Sequence, residues 1–249
     1  GSRIAMVGSD YIWPRLASRT MAEQIFLENG APLTDFFVKL GAPRHEFDEI
    51  LQKIVATKPD GIFCNLVGSS IVHFYQAYHA FGLDPKQIPI FSLTTSETDV
   101  AIMGNKVAQG HVTASPYFQS IETPRNKQVL RNFYEWYGGE TPTNMVWEAV
   151  YSQVHLAANA MRHCGSDRSS LVKDALMGAE FEAPQGLIKI DADTSHTHLW
   201  PRIGKVNAMG QFDILRETIN SVRPDPYSPF GCDESSPMRT PLRRARTEA

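Results

Sequence analysis

The sequence predicts an α/β protein with a doubly wound parallel sheet, and two observations carry that prediction. From Arg3 to about Phe118, short apolar runs alternate with amphipathic segments, which is the pattern of strand–helix–strand units. Gly30, Pro59 and Gly82 end the first three amphipathic segments, because glycine and proline terminate helices. The alternation therefore predicts a parallel sheet with helices packed on its faces.

Each element is predicted from its own apolar pattern. Short apolar runs predict strands at residues 4–7, 36–40, 61–67, 88–93, 111–114, 186–190, 202–207 and 211–215. Apolar residues at helical spacing predict helices at residues 15–29, 45–57, 70–81, 97–103, 124–137, 145–164 and 169–177. The last three helices follow one another without a strand between them. Their apolar faces need a packing surface, and we expect no sheet of their own in this chain.

Composition disfavours several classes of function. The chain has 249 residues and is 42% hydrophobic, which is enough to fill a core, and its formal charge of −3 argues against direct nucleic-acid binding. No apolar run is long enough to predict membrane insertion. Cys64, Cys164 and Cys232 are widely spaced, which favours free thiols over disulfides or a metal site. The prolines and arginines of residues 223–249 predict a C-terminal loop and a disordered tail.

Candidate ligand-binding residues follow three of the predicted strands. In an open parallel sheet, ligands bind outside the carboxyl ends of the strands. The residues found there are Ser9, Asp10, Tyr11 and Trp13 after the first strand, Gly68, Ser69 and Ser70 after the third, and Thr94, Thr95, Ser96 and Glu97 after the fourth. Hydroxyl groups and aromatic faces with few charges suit a small, neutral, polar molecule.

Each of these residues also has a purely structural interpretation. Ser70 and Ser96 are suited to cap the helices that they precede. Thr94 and Thr95 are suited to bond the neighbouring backbone at the strand end, and the two aromatic residues to cover the edge of the sheet. The occurrence of such residues after three strands favours a binding site.

Catalytic motifs are absent from the sequence. Residues 68–70, Gly-Ser-Ser, do not form a nucleophile elbow, and no glycine-rich phosphate-binding motif occurs. His196 and His198 lie near Asp191 and Asp193, where either a metal site or, more commonly, a solvated loop is expected. We therefore predict a protein that is not an enzyme and that needs neither a cofactor nor a metal.

Seven stretches, in order along the chain, resemble the signatures of one family. They are VGSDYIWPR at residues 7–15, SLTTSETDVA at 92–101, PYFQSIETPRNKQ at 116–128, EAPQG at 182–186, HLWPRIGKV at 198–206, GQFDIL at 210–215 and RPDPY at 223–227. With these motifs, the chain from Arg3 to Tyr227 resembles the type I periplasmic-binding-protein fold, and within that fold the short-chain amide and urea branch. The resemblance implies a non-catalytic receptor for a small neutral amide, such as acetamide, or for urea.

The resemblance also implies that the chain is divided between two lobes. Residues 3–115 and about 196–222 are expected to form the ligand-binding lobe 2, and residues 116–195 the helical part of lobe 1. Members of the family carry an N-terminal stretch that supplies most strands of lobe 1. Those strands, and with them half of the binding cleft, are therefore expected to lie outside this chain.

The resemblance assigns roles to individual residues. The amide sensors of this branch hold their ligand with aromatic side chains after the first strand of this lobe and with a threonine of the TTSE motif. Carried over to this sequence, these residues are Tyr11, Trp13 and Thr94. Trp13 stands where the sensors usually have tyrosine. Gly68, Ser69 and Thr95 complete the predicted ligand-binding set from their position after strands.

Two functions within this branch compete. The main prediction is a cytoplasmic sensor that regulates an amidase or amide-utilisation operon through an antitermination regulator protein. The alternative is the substrate-binding component of a urea or short-chain amide ABC transporter, periplasmic after removal of a signal peptide, with the permease as its partner. A homo-oligomer is compatible with both. From other classes, an interaction module without a small ligand stays open, whereas an amide hydrolase would need a nucleophile and base that the sequence does not offer.

Overall fold

A computed structural model describes residues 1–139 and 141–225, so the part of the predicted tail from residue 226 onward lies outside the described residues. The strands are β1 (Arg3–Ser9), β2 (Ala31–Val38), β3 (Gly61–Asn65), β4 (Ile90–Ser92), β5 (Val112–Ser115), β6 (Glu180–Ala183), β7 (Gly186–Ile190), β8 (Thr197–His198), β9 (Arg202–Val206) and β10 (Phe212–Glu217). The helices are α1 (Ile12–Leu27), α2 (Glu46–Ala56), α3 (Ser69–Ala80), α4 (Glu97–Met103), α5 (Asn105–Ala108), α6 (Pro124–Tyr137), α7 (Met145–Cys164) and α8 (Ser169–Leu176). None of the helices in this part of the chain is long and apolar enough to span a bilayer.

A seven-stranded sheet organises most of the chain. Its strand order is β10-β9-β5-β4-β3-β1-β2, and β1 to β5 pair in parallel. β9 pairs antiparallel with β5, and β10 pairs antiparallel with β9. The fold class is therefore confirmed as α/β with a mainly parallel sheet. The strand order reverses beside β1, because β2 lies on one side of β1 and β3 lies on the other.

Apolar side chains fill both faces of this sheet. Ala5, Val7, Ile62 and Cys64 belong to the larger cluster, in which Phe47 of α2 meets Phe74 of α3 at 5.3 Å between ring centroids. On the opposite face, side chains from β1, β3 and α1 form a second cluster that contains Met6, Phe63 and Ile25. Alternate residues of a strand point to opposite faces, so the middle of β1, Ile4–Val7, and the middle of β3, Ile62–Cys64, need apolar residues at successive positions. This is why their sequences are continuous apolar runs.

A second, smaller sheet lies in the helical region. β6, β7 and β8 form an antiparallel sheet in that order, and the prediction that the three late helices have no sheet of their own is wrong. Leu156 of α7 packs with Ala183 and Ile188 of this sheet. Sequence patterning missed β6 because its four residues, Glu-Phe-Glu-Ala, lack an apolar run. Pairing with β7 and packing of alternate residues stabilise it instead.

The edge strand β2 differs most from its predicted position. It spans Ala31–Val38, whereas the apolar run predicted a strand at residues 36–40. Among the described strands, β2 pairs with β1 alone, and its first half is partly exposed. Exposed strand positions accept polar residues such as Thr34 and Asp35, so only the buried end of the strand is visible as an apolar run.

Arg202, the first residue of β9, connects the two sheets. Its side chain is 4% exposed, and its guanidinium donates to Glu217 Oε2 at 3.1 Å and to the backbone carbonyls of Pro116 at 2.7 Å, Gln185 at 2.9 Å and Trp200 at 3.1 Å. Pro116 follows β5, Trp200 precedes β9, and Gln185 lies in the turn between β6 and β7. The Arg202 side chain therefore bonds both segments that connect the two sheets, the one after β5 and the one before β9. It also bonds the turn of the β6–β7 hairpin.

Candidate ligand-binding site

The loops after β1 and β3 meet at the point where the strand order reverses. Such a position is where open α/β sheets bind ligands, because the two connections leave in opposite directions and open a crevice. The hydroxyl of Ser9, at the end of β1, accepts a hydrogen bond from the backbone N–H of Val67 at 3.1 Å. This bond joins the two loops. The structure thus brings together the residues that the sequence placed after the first and third strands.

Tyr11 and Trp13 form one side of this site. Their rings are stacked, with centroids 6.5 Å apart and planes at 30°, and the two residues are 37% and 38% exposed. Tyr11 is the N-cap residue of α1, so the helix begins earlier than predicted and Trp13 lies in its first turn. A tyrosine and a tryptophan that expose more than a third of their surface at the end of β1 present a flat apolar surface to solvent. We call this pair the aromatic wall.

The charges beside the aromatic wall neutralise each other. Arg15 Nη2 lies 2.6 Å from Asp10 Oδ1, and the Arg15 Nε atom donates to the same oxygen at 2.8 Å. The Arg15 guanidinium also lies over the ring of Phe37, 4.4 Å from its centroid. Both charges are therefore occupied with neighbouring groups of the protein.

Gly68 and Ser69 form the exposed loop at the start of α3. Gly68 has φ of +63°, a conformation that glycine adopts without strain, and it occupies the N-cap position that was considered for Ser70. Ser70 is fully buried, and its hydroxyl has no hydrogen-bond partner among the described residues. The first turn of α3 contains no acidic residue. No carboxylate of that turn therefore competes for the N–H groups at the start of α3.

The structure gives Thr94 and Thr95 different environments. Thr94 is partly exposed, and its hydroxyl donates to the carbonyl of Leu66 at 2.7 Å, which leaves an oxygen lone pair able to accept from a ligand N–H. Thr95 is 1% exposed, and its hydroxyl contacts Ser92 Oγ at 2.9 Å and Tyr75 Oη at 3.0 Å. Of the two predicted threonines, Thr94 is the one that solvent reaches, whereas the hydroxyl of Thr95 is buried and holds the loop.

Ser92 is a site residue that the sequence interpretation missed. Its hydroxyl oxygen accepts from the backbone N–H groups of Thr94 and Thr95 at 3.1 and 3.0 Å. Ser92 is 2% exposed, so it is buried beneath the β4–α4 loop and fixes the backbone of that loop through these two bonds. The sequence does carry a signal for this role, because a hydroxyl residue at the end of a strand, Ser92, is followed within three residues by two further hydroxyl residues, Thr94 and Thr95.

The different environments of the two threonines lead to a stability prediction. Thr95→Val removes a buried hydroxyl and leaves Tyr75 Oη and Ser92 Oγ with a lost partner, so we expect the free energy of unfolding to fall by about 1–3 kcal/mol. Urea denaturation measures this change. Thr34→Val, at an exposed position of the edge strand β2, is the matched control and should change stability by less than about 0.5 kcal/mol. Equal effects of the two substitutions would contradict the assigned role of Thr95.

The segment that contains Asp191, Asp193, His196 and His198 is predicted to be a solvated loop, and this prediction is only partly correct. His196 and Asp193 are exposed, but Asp191 is 6% exposed and its carboxylate accepts from Arg223 Nε at 2.6 Å. That guanidinium holds the pKa of Asp191 well below its usual range. Among residues 1–139 and 141–225, no group of three or more histidine, cysteine or acidic side chains is arranged to hold a metal ion.

A cavity of about 620 Å³ lies away from the predicted site. One side of it is α7, and the other includes the segment before β9 and the last described residues; its lining includes Glu148, Ser152, Leu156, Ile188, Leu199 and Arg223. Glu148 is 1% exposed, accepts from Ser152 and Gln185, and has a pKa that burial raises. The sequence interpretation did not predict this cavity.

Comparison with known proteins identifies the family. The family model described as "Periplasmic binding protein domain" matches residues 1–232. The chain belongs to the periplasmic-binding-protein family. The fold is that of type I members: a solute-binding protein of an ABC transporter from Rhodopseudomonas palustris, solved with 3,4-dihydroxybenzoic acid, superposes with a TM-score of 0.78 at 23% identity. The alignment covers 89% of this chain and 61% of that one.

The curated relatives of this periplasmic binding protein match part of their own length. A Brucella melitensis protein named Leu/Ile/Val-binding protein homolog 6 is 23% identical over 198 residues, which is 78% of this chain and 50% of that protein. A Geobacillus stearothermophilus protein named limonene hydroxylase is 34% identical over 128 residues, or 23% of its own length. The chain thus spans half or less of these curated relatives. The family and the fold neighbours are solute-binding proteins rather than enzymes, and the hydroxylase name belongs to a short partial match.

Proposed function

We propose that the protein is the substrate-binding component of an ABC transporter for a small neutral amide or urea. The single observation that carries the ligand class is the aromatic wall at the reversal point of the sheet, with Thr94 nearby and with Asp10 and Arg15 paired to each other. An aromatic face excludes water, and a hydroxyl oxygen accepts a hydrogen bond from an amide N–H group.

The charge distribution favours a neutral ligand over an acidic one. A carboxylate ligand would draw on the N–H groups at the start of α3, and it would further need an unpaired cation near the aromatic wall as its counter-charge. Arg15, the cation beside the wall, is bonded to Asp10 and stacked on Phe37. A solute of a few heavy atoms with N–H donors and one carbonyl needs no such counter-charge.

The comparisons support the transporter over the sensor. The solved neighbour from Rhodopseudomonas palustris is described as a solute-binding protein of an ABC transporter, and the Brucella relative is named as an amino-acid-binding homologue. A transporter component acts in the periplasm, with the permease as its partner. The cytoplasmic sensor and its antitermination regulator stay a prediction from sequence resemblance alone.

We also propose that α6 to α8 pack against strands supplied from outside this chain, as the lobe assignment requires. α7 carries four exposed apolar side chains at helical spacing, Val146, Val150, Val154 and Met161. Such a stripe on a 20-residue helix is typical of a face that another layer covers. The chain spans 61% of the length of the solved neighbour, which leaves room for that layer.

Ligand binding would act by closing the cleft between two lobes. A solute that touches the aromatic wall and the opposite lobe binds the closed form more tightly than the open form, so it shifts the population toward the closed form. The permease then distinguishes loaded from empty protein by this shape.

Substitution of Thr94 tests the proposed ligand contact. Thr94→Ala removes the acceptor for the amide N–H, and we expect acetamide and urea to bind more weakly by about 1–3 kcal/mol. Isothermal titration calorimetry on the full-length protein measures the change, with Thr34→Ala as a control that should bind like the wild type. An unchanged affinity in Thr94→Ala would remove Thr94 from the site.

A further inference from the structure

A buried carboxyl group connects the candidate site to the chain segment that leaves the main sheet. Glu97 is in the first turn of α4, three residues after Thr94, and is 3% exposed. Its Oε1 atom accepts a hydrogen bond from the backbone N–H of Gln119 at 2.6 Å. Gln119 lies in residues 116–122, which lead from β5 to α6 and which we call the crossover segment.

Gln119 is in turn bonded to the helical region. Its Oε1 atom accepts from the backbone N–H of Thr143 at 2.7 Å, and its carbonyl accepts from Asn126 Nδ2 at 3.0 Å. Asn126, fully buried in α6, also donates to the carbonyl of Ile121 at 2.7 Å. The crossover segment therefore bonds the helical region through Gln119 and Ile121. On the side of the main sheet, Glu97 bonds Gln119, Ser120 Oγ donates to the carbonyl of Phe212 at 2.6 Å, and Arg202 donates to the carbonyl of Pro116 at 2.7 Å.

A second hydrogen bond, beside that of Glu97, also joins the first turn of α4 to the helical region. Thr98 Oγ1 accepts from Asn144 Nδ2 at 2.9 Å, and Asn144 Oδ1 accepts from the backbone N–H of Trp147 in α7. The first turn of α4 thus touches both the crossover segment and the N-terminus of α7.

The surroundings of Glu97 disfavour its charged form. Burial raises the pKa of Glu97 from 4.5 to about 7; the Gln119 N–H bond opposes this rise, and the negative charge of Asp99 adds to it. Burial and the negative charge of Glu97 raise the pKa of Tyr117 in the crossover segment and of Tyr134 in α6. The charge of Glu148 in α7 also raises the pKa of Tyr117. No cation among the described residues acts on Glu97 to offset its burial.

We propose that Glu97 is a proton-controlled link between the β4–α4 loop and the crossover segment. When protonated, its side chain stays buried against Gln119; when ionised, it is drawn toward water and releases the backbone N–H of Gln119, while Pro116 and Ser120 stay bonded to Arg202 and Phe212. The direction follows from linkage. Opening exposes the carboxyl group, so opening releases a proton and becomes more favourable as pH rises. The link is fully held below about pH 4.5 and loosens as the pH rises to about 7.

This link goes beyond the proposed function, and it can be tested without a ligand. Hydrogen exchange of the Gln119 amide reports whether the bond to Glu97 is open. A pKa of about 7 in the closed state and 4.5 in the open state predicts that the protection factor falls about 30-fold between pH 5.5 and 8.5. The protection factor is corrected for the intrinsic exchange rate at each pH.

The variant Glu97→Gln distinguishes the effect of ionisation at residue 97 from the effect of its side-chain packing. Glutamine keeps an oxygen that accepts from Gln119 but does not titrate, so its protection factor should be independent of pH over this range. Glu135→Gln, at an exposed position of α6, is the matched control and should retain the wild-type fall. The same 30-fold fall in Glu97→Gln would overturn the proposal.

Direct titration keeps the proposal testable if Glu97→Gln does not fold. Carbon-13 NMR of the wild-type side-chain carboxyl groups should show the Glu97 signal titrating near pH 7. Titration of Glu97 near 4.5 would overturn the proposal. Failure to bind acetamide or urea would leave both measurements unaffected, so it would count only against the proposed function.

Discussion

Arg202→Met should lower the free energy of unfolding by about 3–5 kcal/mol. Arg202 is 4% exposed and donates to the carbonyls of Pro116, Gln185 and Trp200 as well as to Glu217. Methionine fills a similar volume but donates nothing, so three backbone carbonyls lose a charged donor at once. The loss is a large fraction of the 5–15 kcal/mol that stabilises an ordinary protein.

Urea denaturation followed by circular dichroism measures this effect. Arg216→Met is the matched control, because Arg216 is exposed on the neighbouring strand β10. The control should change stability by less than about 0.5 kcal/mol. A loss below 1 kcal/mol in Arg202→Met would show that the two passages between the sheets do not depend on this guanidinium.

The double variant Tyr11→Ala with Trp13→Ala should weaken binding of acetamide or urea about 100-fold, or about 3 kcal/mol. The two rings are stacked at the reversal point of the sheet and expose more than a third of their surface. Removing both leaves the ligand against water on that side and forfeits the apolar contact of two aromatic faces. The fold should change little, because neither side chain belongs to the buried core.

Trp136→Ala provides the control for loss of an aromatic side chain. Trp136 is 84% exposed on α6 and lies in the helical region. Calorimetric titration should give wild-type affinity for this variant. Wild-type affinity in the double variant as well would refute the aromatic wall as a ligand contact.

The sequence predicted elements with strong local signals better than elements that depend on a distant pairing partner. The helices α6 and α7 have the predicted bounds, because their apolar faces and their caps, Thr123 and Asn144, are local signals. β2 and β6 were misplaced or missed, because exposed and short strands depend on pairing partners that lie far away in sequence. The antiparallel edge formed by β9 and β10 likewise depends on contacts that apolar patterning does not contain.

The sequence predicted where in the sheet the candidate site lies better than it predicted the contacts of the individual side chains. The strand-end rule selected the residues around the reversal point, since position in a parallel sheet follows from strand order. It did not distinguish Thr94 from Thr95, because burial depends on the packing of Tyr75 from α3. Nor did it show that Glu97 bonds the crossover segment, a contact between residues 22 positions apart.

The most direct test of the account is isothermal titration calorimetry of the full-length protein with four solutes. Acetamide and urea represent the proposed ligand class, and leucine and 3,4-dihydroxybenzoate represent ligands of the related proteins. We expect acetamide, urea or both to bind, and neither of the other solutes to bind. Binding of leucine or of the aromatic acid, with no heat from either small amide, would contradict the proposed function.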